Sequence, residues 1–379
     1  NKISKKGLGI LGKNYEISDD CENPDGIILR SFKMHDMELP ESLRAVARAG
    51  AGVNNIPLDK CSEKGIVVFN TPGANANAVK ELVICSLLLS SRKVVQGINW
   101  AKTLKDEGDQ AASLVEKGKS NFVGPEIYGK TLGVVGLGAI GVKVANAAHH
   151  LGMNVVGYDP YLSVDSAWHL TRFAEKATSF DDLLAQSDYI TIHVPALPST
   201  IGMFNSEAFA KMKKGARLLN FSRDTLVDTT DIQAALEDGT VSCYVTDFAT
   251  ADLLNNDKVI CMPHLGASTP ESEENCAVMA SNEIKDFLEN GNIKNSVNYP
   301  NCDMGEKNGE RMTVAHKNVP NMLKHITDLI AAKGVNIDTM LNKSRGDYAY
   351  TMLDLQGKID PAIAKEIEDI DGVIKVTLL

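Results

Sequence analysis

A glycine-rich turn is the strongest chemical signal in this sequence. Gly136, Gly138 and Gly141 have the spacing GxGxxG, directly after the apolar run Thr131–Val135 and directly before a helical pattern. In that context the backbone N–H groups of the turn and of the helix start can bind a pyrophosphate. Asp159 ends the next predicted strand, where its carboxylate would accept hydrogen bonds from the ribose of adenosine and repel a 2′-phosphate. The pattern therefore predicts a dinucleotide site that prefers NAD to NADP.

The elements around this turn alternate between apolar runs and helical patterns, which is typical of an α/β fold with a parallel sheet. Before the turn, strands are predicted at Gly7–Leu11, Gly26–Leu29, Ala45–Ala47 and Ile66–Phe69. From the turn onwards, strands are predicted at Thr131–Val135, Asn154–Tyr158, Tyr189–His193, Ala216–Phe221, Ser242–Val245 and Val259–Met262. A long helix over Ala76–Val94 is apolar nearly all round, which predicts that it is buried.

The last part of the chain follows a different order. Residues 301–310 are polar and contain Gly305 and Gly309, which predicts a linker. Beyond them, strands and helices are predicted in the order β-α-β-β-α-β, from Arg311–Ala315 to Ile374–Leu378. That order is typical of a split-βαβ, ferredoxin-like module.

The composition excludes several classes of protein. The chain has 379 residues, of which 44% are hydrophobic and 23% charged, as in a globular protein. Its net charge of −10 and its lack of a basic run disfavour nucleic acid and anionic lipid as partners, and no apolar run is long enough to span a membrane. The seven cysteines include no CxxC pair, which predicts reduced thiols in the cytoplasm and no metal site.

Three further motifs lie downstream of the glycine turn. Residues 191–200 read TIHVPALPST, residues 212–224 read MKKGARLLNFSRD, and residues 263–269 read PHLGAST. Together with the glycine turn they resemble the motifs of the D-2-hydroxyacid dehydrogenases, most closely of those members that oxidise 3-phosphoglycerate and carry a C-terminal ACT domain. The resemblance covers essentially the whole chain and implies NAD as the cofactor.

This resemblance implies two Rossmann-like, doubly wound parallel-sheet domains and a ferredoxin-like ACT domain. The substrate-binding domain would be discontinuous, formed by residues 1–93 and 270–300. The NAD-binding domain would be residues 94–269, followed by a linker over residues 301–309 and the ACT domain over residues 310–379. The chain would thus leave the substrate-binding domain and return to it.

The resemblance also implies a catalytic set. Arg223 would bind the substrate carboxylate through its planar guanidinium and polarise the oxygen at C2. His264 would be the general acid/base, since an imidazole titrates at about pH 6.5. Relatives have a glutamate that orients this histidine; here Asp252 stands at that position, or Ala251 if the alignment is made on Phe248. We assign the role to Asp252, because it supplies a carboxylate, although one carbon shorter; the alternative is that it only solvates or caps a loop.

Contacts with cofactor and substrate follow from the same resemblance. Asp247 would face the nicotinamide carboxamide; the alternative is a strand-end carboxylate bonded to backbone N–H groups. The other cofactor residues would be Gly136, Gly138, Ala139, Ile140, Gly141, Asp159, Val194, Pro195, Phe221, Ser222, His264 and Gly266. The substrate residues would be Arg30, Arg48, Ala49, Gly50, Ala51, Gly52, Asn75, Arg223 and His264. The N–H groups of a glycine-rich turn can bind a carboxylate, whereas any one of the basic residues can equally be solvated.

The C-terminal module resembles ACT domains that bind serine. His316, Asn318 and Asn336 match serine-contacting positions of bacterial relatives, whereas Asn321 stands where those relatives have glycine. Asparagine is among the better substitutes for glycine where φ is positive. ACT sheets commonly pair edge to edge across subunits, which predicts a homodimer or a homotetramer. The alternative is a module that dimerises and binds no amino acid.

Taken together, the resemblance implies NAD-dependent oxidation of D-3-phosphoglycerate to 3-phosphohydroxypyruvate, the first step of L-serine synthesis, with L-serine as an effector. Two other functions stay open. The first is a family member that acts on glycerate or hydroxypyruvate, against which Arg30 and the ACT module argue. The second is an NAD-binding scaffold without turnover, which only the changed acid at Asp252 supports.

Overall fold

The computed structural model describes residues 2–379, which fold into two compact units. The first unit comprises the residues up to Asn75 together with Pro270–Leu379, and the second comprises Ala76–Thr269. The chain therefore leaves the first unit once and returns to it. The domain functions assigned above to residues 1–93, 94–269, 270–300, 301–309 and 310–379 stay predictions.

The residues up to Asn75 form a small parallel sheet. Its strands β1 (Gly26–Leu29), β2 (Ala45–Arg48) and β3 (Val67–Asn70) pair in the order β1-β2-β3. Two short helices belong to the same segment, α1 (Lys5–Leu8) and α2 (Leu58–Glu63). Residues 45–47 of the central strand are fully buried, as expected for a parallel strand covered on both faces. With three strands, this sheet is smaller than a complete doubly wound domain.

The second unit contains a seven-stranded parallel sheet. Its strands are β4 (Thr131–Val135), β5 (Asn154–Tyr158), β6 (Glu175–Lys176), β7 (Tyr189–Ile192), β8 (Ala216–Asn220), β9 (Val241–Thr246) and β10 (Val259–Cys261). They pair in the order β10-β9-β8-β7-β4-β5-β6, so the direction of winding reverses between β4 and β7. Such a reversal opens a crevice at the carboxyl ends of the strands, where α/β folds bind ligands. The predicted Rossmann-like fold is confirmed.

Helices cover both faces of this sheet. The second unit contains the helices α3 (Ala76–Ser91), α4 (Val94–Thr103), α5 (Ala111–Gly118), α6 (Ala139–His150), α7 (Val164–His169), α8 (Phe180–Gln186), α9 (Ser206–Lys211), α10 (Thr229–Glu237) and α11 (Ala251–Leu254). One apolar cluster packs α8, α9 and α10 against the sheet, and a second packs α3 and α6 against it. The long helix α3 is buried at Val79, Val83 and Leu87 but exposed at Cys85 and Leu88. Its predicted burial is therefore correct for one face.

Residues 270–379 begin with a long helix and end in a separate sheet. The elements are α12 (Pro270–Asn290), β11 (Glu310–Lys317), α13 (Met322–Ala332), β12 (Ile337–Arg345), β13 (Tyr348–Leu355), α14 (Pro361–Glu368) and β14 (Val373–Leu378). The four strands form an antiparallel sheet in the order β12-β13-β11-β14. The order of helices and strands along the chain and the order of strands in the sheet are both those of a ferredoxin-like module. The predicted ferredoxin-like module is therefore confirmed. No helix within residues 2–379 has both the length and the apolar composition needed to cross a membrane.

The predicted strand at Gly7–Leu11 is wrong. A helix, α1, occupies part of this segment, and the Ser4 hydroxyl caps it by accepting a hydrogen bond from the Lys6 N–H at 3.3 Å. Gly7 packs against α12, where a Cβ on Gly7 would lie 2.6 Å from the carbonyl carbon of Ala277. The close approach of two helices overrides a short apolar run, which cannot by itself separate strand from helix.

The C-terminal sheet shares a core with the first sheet. Ala315, Tyr350 and Met352 belong to the same apolar cluster as Phe69 of β3 and Phe287 of α12. The rings of Phe69 and Phe287 stand edge to face, with centroids 5.7 Å apart. The opposite face of the C-terminal sheet packs on α13 and α14. We call the first of these clusters the shared core, because it joins residues from distant parts of the chain.

A buried arginine fastens the C-terminal sheet to the end of α12. Arg311 is 1% exposed, and its Nε and Nη2 donate to the two carboxylate oxygens of Asp354 at 2.6 and 3.0 Å. Its Nη1 donates to the carbonyl oxygens of Asn290 at 3.0 Å and Gly305 at 2.8 Å. A buried guanidinium requires such partners, because an unpaired buried charge is strongly destabilising. The segment predicted as a linker is therefore bound to the fold at Gly305.

The helix α12 also carries a buried carboxyl group, at Glu283. The residue is 8% exposed; its Oε1 accepts a hydrogen bond from Asn295 Nδ2 at 2.7 Å, and its Oε2 has no partner among residues 2–379. Burial raises the pKa of Glu283 from 4.5 to about 8, against a smaller lowering by the Asn295 amide. At neutral pH the folded protein therefore holds a proton at Glu283 that the unfolded chain has lost.

This difference predicts a pH-dependent stability. Between pH 4.5 and about 8 the unfolded chain releases the proton and the folded chain retains it, so the free energy of unfolding falls as the pH rises. Glu283→Gln keeps an acceptor for Asn295 and cannot ionise. We expect it to raise the free energy of unfolding above pH 8 by roughly 2–4 kcal/mol, and to change it little below pH 4.5. Urea unfolding at both ends of this range measures the effect. The matched variant Glu271→Gln, at an exposed position of the same helix, should change neither value; equal stabilisation by Glu283→Gln at both ends would contradict the prediction.

Candidate functional site

The glycine turn joins β4 to α6 at the carboxyl end of the seven-stranded sheet. Gly136 follows Val135 with a φ of +90°, and α6 begins at Ala139. A Cβ at Gly136 would lie 2.6 Å from the carbonyl oxygen of His193, so a larger residue does not fit. A Cβ at Gly138 would have no other heavy atom within 4 Å, which leaves the helix start open. A pyrophosphate can therefore approach the N–H groups of α6, and these residues fit NAD.

Asp159 lies beside this turn, directly after β5. One of its carboxylate oxygens accepts a hydrogen bond from the Leu137 N–H and the other from the Tyr161 N–H, both at 2.8 Å. The side chain is half-buried and keeps lone pairs for further donors. The carboxylate is thus held next to the turn, and its contact with a ribose stays a prediction.

The other predicted cofactor residues lie at the same edge of the sheet. Ala139, Ile140 and Gly141 form the first turn of α6, Val194 and Pro195 follow β7, Phe221 and Ser222 follow β8, and His264 and Gly266 follow β10. The Ser222 hydroxyl donates to the carbonyl oxygen of Ile192 at 2.8 Å and so joins the ends of β7 and β8. The structure therefore brings together residues that are far apart in the sequence.

Arg223 is presented by the turn after β8. Asn220, the fully buried last residue of that strand, donates from Nδ2 to the Arg223 carbonyl oxygen at 2.8 Å and accepts at Oδ1 from the Ser222 N–H at 3.1 Å. The guanidinium is exposed, and its Nη1 donates to the Ser222 carbonyl oxygen at 2.6 Å. Sequence analysis missed Asn220 as a positioning residue. A buried amide at a strand end, shortly before an exposed arginine, is the signal that could have found it.

His264 lies in the loop after β10 with a φ of +56°. Few residues other than glycine adopt positive φ, although histidine does so more often than most. The ring is exposed on one side and packs edge to face against Phe248, with centroids 5.3 Å apart. The backbone of this residue is held while its ring stays accessible to a ligand.

Asp247, directly after β9, anchors this histidine loop. It is 3% exposed; its Oδ1 accepts from the Leu265 N–H at 2.8 Å and its Oδ2 from the Gly266 N–H at 2.7 Å. The Asp247 carbonyl oxygen also accepts from the His264 N–H at 3.1 Å. The strand-end alternative considered from the sequence is therefore observed. Each Asp247 oxygen retains a lone pair that can accept a further hydrogen bond. A contact with the nicotinamide carboxamide stays a prediction.

Asp252 does not pair with His264 in this structure. It lies exposed in the first turn of α11, which Thr250 caps by accepting from the Leu253 N–H at 3.4 Å. No hydrogen bond or ion pair among residues 2–379 joins the Asp252 carboxylate to the His264 ring, whose aromatic neighbour is Phe248. The expected pair is not formed, because the short helix α11 leaves Asp252 in solvent. A catalytic role for Asp252 stays a prediction.

The glycine-rich segment after β2 lies in the first unit. Its residues Ala49, Gly50, Ala51 and Gly52 form one loop, and Asn70 Nδ2 donates to the Ala51 carbonyl oxygen at 2.6 Å. The Thr71 N–H donates to the Gly50 carbonyl oxygen at 3.1 Å. The residues after β3 therefore hold the loop after β2. Asn75, the last residue of this segment of the unit, is half-buried.

Arg30 and Arg48 are both engaged within the first unit. Arg48 Nε donates to the Arg30 carbonyl oxygen at 3.1 Å, and Arg30 Nη1 lies 2.7 Å from Glu273 Oε1. The two side chains of this ion pair are 42% and 47% exposed. Such a pair is worth at most about 1 kcal/mol, so an anionic ligand can replace Glu273. Binding of a substrate phosphate or carboxylate by these arginines stays a prediction.

Of the predicted effector residues, His316 is part of the C-terminal sheet. It is 2% exposed, its Nδ1 lies 2.8 Å from the Lys317 carbonyl oxygen, and its Nε2 lies 2.8 Å from the Thr351 hydroxyl. Burial lowers the pKa of His316 below its usual value. Both ring nitrogens thus have partners, and a ligand would have to replace one of them.

Asn318 and Asn336 are more accessible than His316. The Asn318 amide donates to the Gly346 carbonyl oxygen at 3.2 Å, and the Asn336 amide donates to Asp338 Oδ1 at 3.3 Å. Asn321 has a φ of +66°, the conformation in which asparagine is a good substitute for glycine. The replacement of glycine is therefore compatible with the local backbone. No three His, Cys, Asp or Glu side chains in the described part of the chain are arranged to hold a metal ion.

The sequence resembles known proteins over most of its length. Residues 86–266 match the family model of the D-isomer specific 2-hydroxyacid dehydrogenase NAD binding domain. A putative D-3-phosphoglycerate dehydrogenase of Schizosaccharomyces pombe is 31% identical over 376 residues, which cover 90% of this chain and 76% of that protein. A D-3-phosphoglycerate dehydrogenase of Archaeoglobus fulgidus is 34% identical over 79% of this chain and 57% of the relative. The chain therefore spans little more than half the length of the second relative.

Solved structures show the same fold. The NAD+-bound 3-phosphoglycerate dehydrogenase of Entamoeba histolytica superposes with a TM-score of 0.59 at 26% sequence identity. The match covers 78% of this chain and 95% of that chain. The family model and this neighbour both support an NAD-binding domain in the second unit.

Proposed function

Because the chain belongs to the D-isomer specific 2-hydroxyacid dehydrogenase family, we propose that it oxidises D-3-phosphoglycerate to 3-phosphohydroxypyruvate with NAD. The observation that carries the proposal is the exposed pair Arg223 and His264, held at the same edge of the sheet as the glycine turn. The names of the relatives support the phosphorylated substrate. This reaction would be the first step of L-serine synthesis.

Each step of the reaction needs one of these side chains. Arg223 binds the substrate carboxylate and donates toward the C2 oxygen, which stabilises negative charge there. His264 accepts the proton of the C2 hydroxyl and returns a proton to that oxygen in the reverse direction. The turn at Gly136 and Gly138 and the Asp159 carboxylate would hold NAD, whose nicotinamide would supply the hydride acceptor when bound. The Asp247 anchor keeps the histidine loop in place throughout.

We further propose that the C-terminal module is an ACT domain that regulates this activity. Asn318 and Asn336 would contact L-serine, with His316 supplying a ring nitrogen after it exchanges a partner. The strands β12 and β14 are the edges of the sheet, and among residues 2–379 each pairs with a strand on one side only; such an edge is a template for another strand. Pairing of such edges between copies would give a homodimer or homotetramer.

A second candidate function is an NAD-binding scaffold without turnover. One observation favours it: no carboxylate in the described part of the chain pairs with His264 to orient its ring. A histidine without such a partner can still transfer a proton, since catalytic hydrogen bonds often tighten only when substrate is bound. The exposed Arg223 has no evident purpose in a scaffold. We therefore rank the enzyme first.

Consumption of NADH separates the two functions. The full chain is mixed with NADH and 3-phosphohydroxypyruvate, and the near-ultraviolet absorbance of NADH is followed with and without L-serine. We expect rapid loss of NADH, slower loss with unphosphorylated hydroxypyruvate, and inhibition by serine. Binding of NADH without its loss would favour the scaffold. Equal rates with both keto acids would contradict the phosphorylated substrate, and insensitivity to serine would contradict the effector site.

A further inference from the structure

A cavity lies where the C-terminal sheet meets the loop that follows α12. It has a volume of about 670 Å³, and the end of β3, the segment after α12 and the end of β12 all contribute to its lining. None of the residues predicted from the sequence to bind cofactor, substrate or serine lines it. Its size falls in the range of sites for small metabolites.

The lining carries cations and amides but no acid. Lys343 and Arg345 stand on β12, and the lining also includes Asn70, Asn295 and Asn301, whereas neither Asp nor Glu is among the lining residues. Arg345 Nη1 donates to the Ser296 carbonyl oxygen at 2.6 Å. The Lys343 ammonium makes no hydrogen bond or ion pair within residues 2–379. In a chain with a net charge of −10, two cations without a facing acid form a local exception to the general repulsion of anions.

A carboxyl group that is hydrogen-bonded to the lining residue Asn295 does not cancel the positive charge of Lys343 and Arg345. Glu283 accepts a hydrogen bond from the Asn295 amide, and burial raises its pKa to about 8. At neutral pH it is therefore mostly protonated and adds little negative charge beside Asn295.

One wall of the cavity is bonded to the glycine-rich loop after β2. The Asn70 N–H donates to the Asn295 carbonyl oxygen at 3.3 Å, and Asn70 Nδ2 donates to the Ala51 carbonyl oxygen at 2.6 Å. Asn295 itself is held at a φ of +55°. A ligand that draws either asparagine toward β12 would therefore act on Ala51 through a single side chain.

We propose that this cavity binds a small metabolite with two or more carboxylate or phosphate groups, through Lys343 and Arg345, and that its occupation alters the mobility of the loop at residues 48–52. Neither of the predicted serine residues Asn318 and Asn336 lines the cavity. An arginine fork and a lysine ammonium are the usual partners of such groups. Neither the binding nor the loop response depends on catalytic turnover, so the proposal can be tested independently of the proposed function.

Calorimetric titration of the full chain tests the binding. Citrate and pyrophosphate are the two probes, in about 0.1 M NaCl so that long-range charge effects are screened. Saturating NADH is present throughout, so that the glycine turn at Gly136 is occupied and the heat reports the cavity. Lys343→Gln removes one cation from an exposed position, and we expect it to weaken binding by about tenfold, the effect of losing one charge-assisted hydrogen bond. Asn301→Asp, a nearly isosteric change that places an anion in the lining, should weaken binding at least as much. Lys365→Gln on α14 makes the same charge change at an exposed residue outside the cavity and should leave affinity unchanged.

The results assign the ligand class or overturn the site. Binding of citrate alone identifies a carboxylate site, binding of pyrophosphate alone a phosphate site, and binding of both a general anion site. No heat with either probe, or equal affinity of the wild-type chain and Lys343→Gln, would overturn the proposal. An equal loss in Lys365→Gln would do the same, since it would indicate a non-specific charge effect. Hydrogen exchange at the amides of residues 48–52 reports the loop, and unchanged exchange under saturating probe would refute the coupling.

Discussion

His264→Asn is expected to lower kcat for the reduction of 3-phosphohydroxypyruvate by about 10²–10⁴-fold, the usual contribution of a general acid/base. Asparagine is chosen because it accepts a positive φ, which His264 adopts at +56°. The loop backbone and its bonds to Asp247 should therefore persist. What is lost is the ring nitrogen that carries the proton.

The measurement is kcat and KM for NADH-dependent reduction, together with NADH binding by fluorescence. We expect kcat to fall and NADH affinity to change little. His325→Asn, an exposed histidine on α13, is the matched control and should keep wild-type activity. A His264→Asn variant with more than a tenth of wild-type kcat would exclude His264 as the acid/base.

Asp247→Asn should have the second largest effect. The aspartate accepts two backbone N–H donors, from Leu265 and Gly266, on its two oxygens. Asparagine offers one acceptor only, and its amide N–H groups would oppose the other donor. A buried donor left unpaired costs about 1–3 kcal/mol, so the loop should open more often and present His264 in its working position less often.

We expect a roughly tenfold to hundredfold loss of kcat/KM, with faster hydrogen exchange at the Leu265 and Gly266 amides. Exchange is the decisive readout, because a residue that only contacted the nicotinamide would not alter it in the free protein. Asp106→Asn, at an exposed position, controls for the loss of a carboxylate. Reduced activity with unchanged exchange would assign Asp247 to the cofactor instead. A larger loss in Asp252→Asn than in Asp247→Asn would restore Asp252 as the partner of His264.

The fold was predictable where local patterns and packing agree. The strands of the second unit read as continuous apolar runs, since a parallel strand is buried on both faces, and β5 begins and ends at the predicted residues. The C-terminal module was predictable because its order of elements is itself distinctive. The failure at Gly7 has a definite cause: α12 lies close enough to accept only glycine there, and nothing near Gly7 in the sequence indicates this.

The site was predictable in its residue types but not in its bonds. The motifs pointed to Arg223, His264 and Asp247, yet the bond from the Ser222 hydroxyl to the Ile192 carbonyl oxygen and the bonds of Asp247 to Leu265 and Gly266 join the ends of neighbouring strands. Such pairs become visible only when the strand order is known. Asp252 shows the converse, because a residue at the expected distance along the chain was directed to solvent by the short helix that contains it.

The shared core can be completed only late in the synthesis of the chain. Phe69 and Phe287 emerge from the ribosome well before Tyr350 and Met352, which complete the same cluster. Until those last residues are released, the nascent chain exposes an apolar surface that the finished molecule buries, and such surfaces promote aggregation during synthesis. Premature stops within the final strands should therefore yield insoluble fragments.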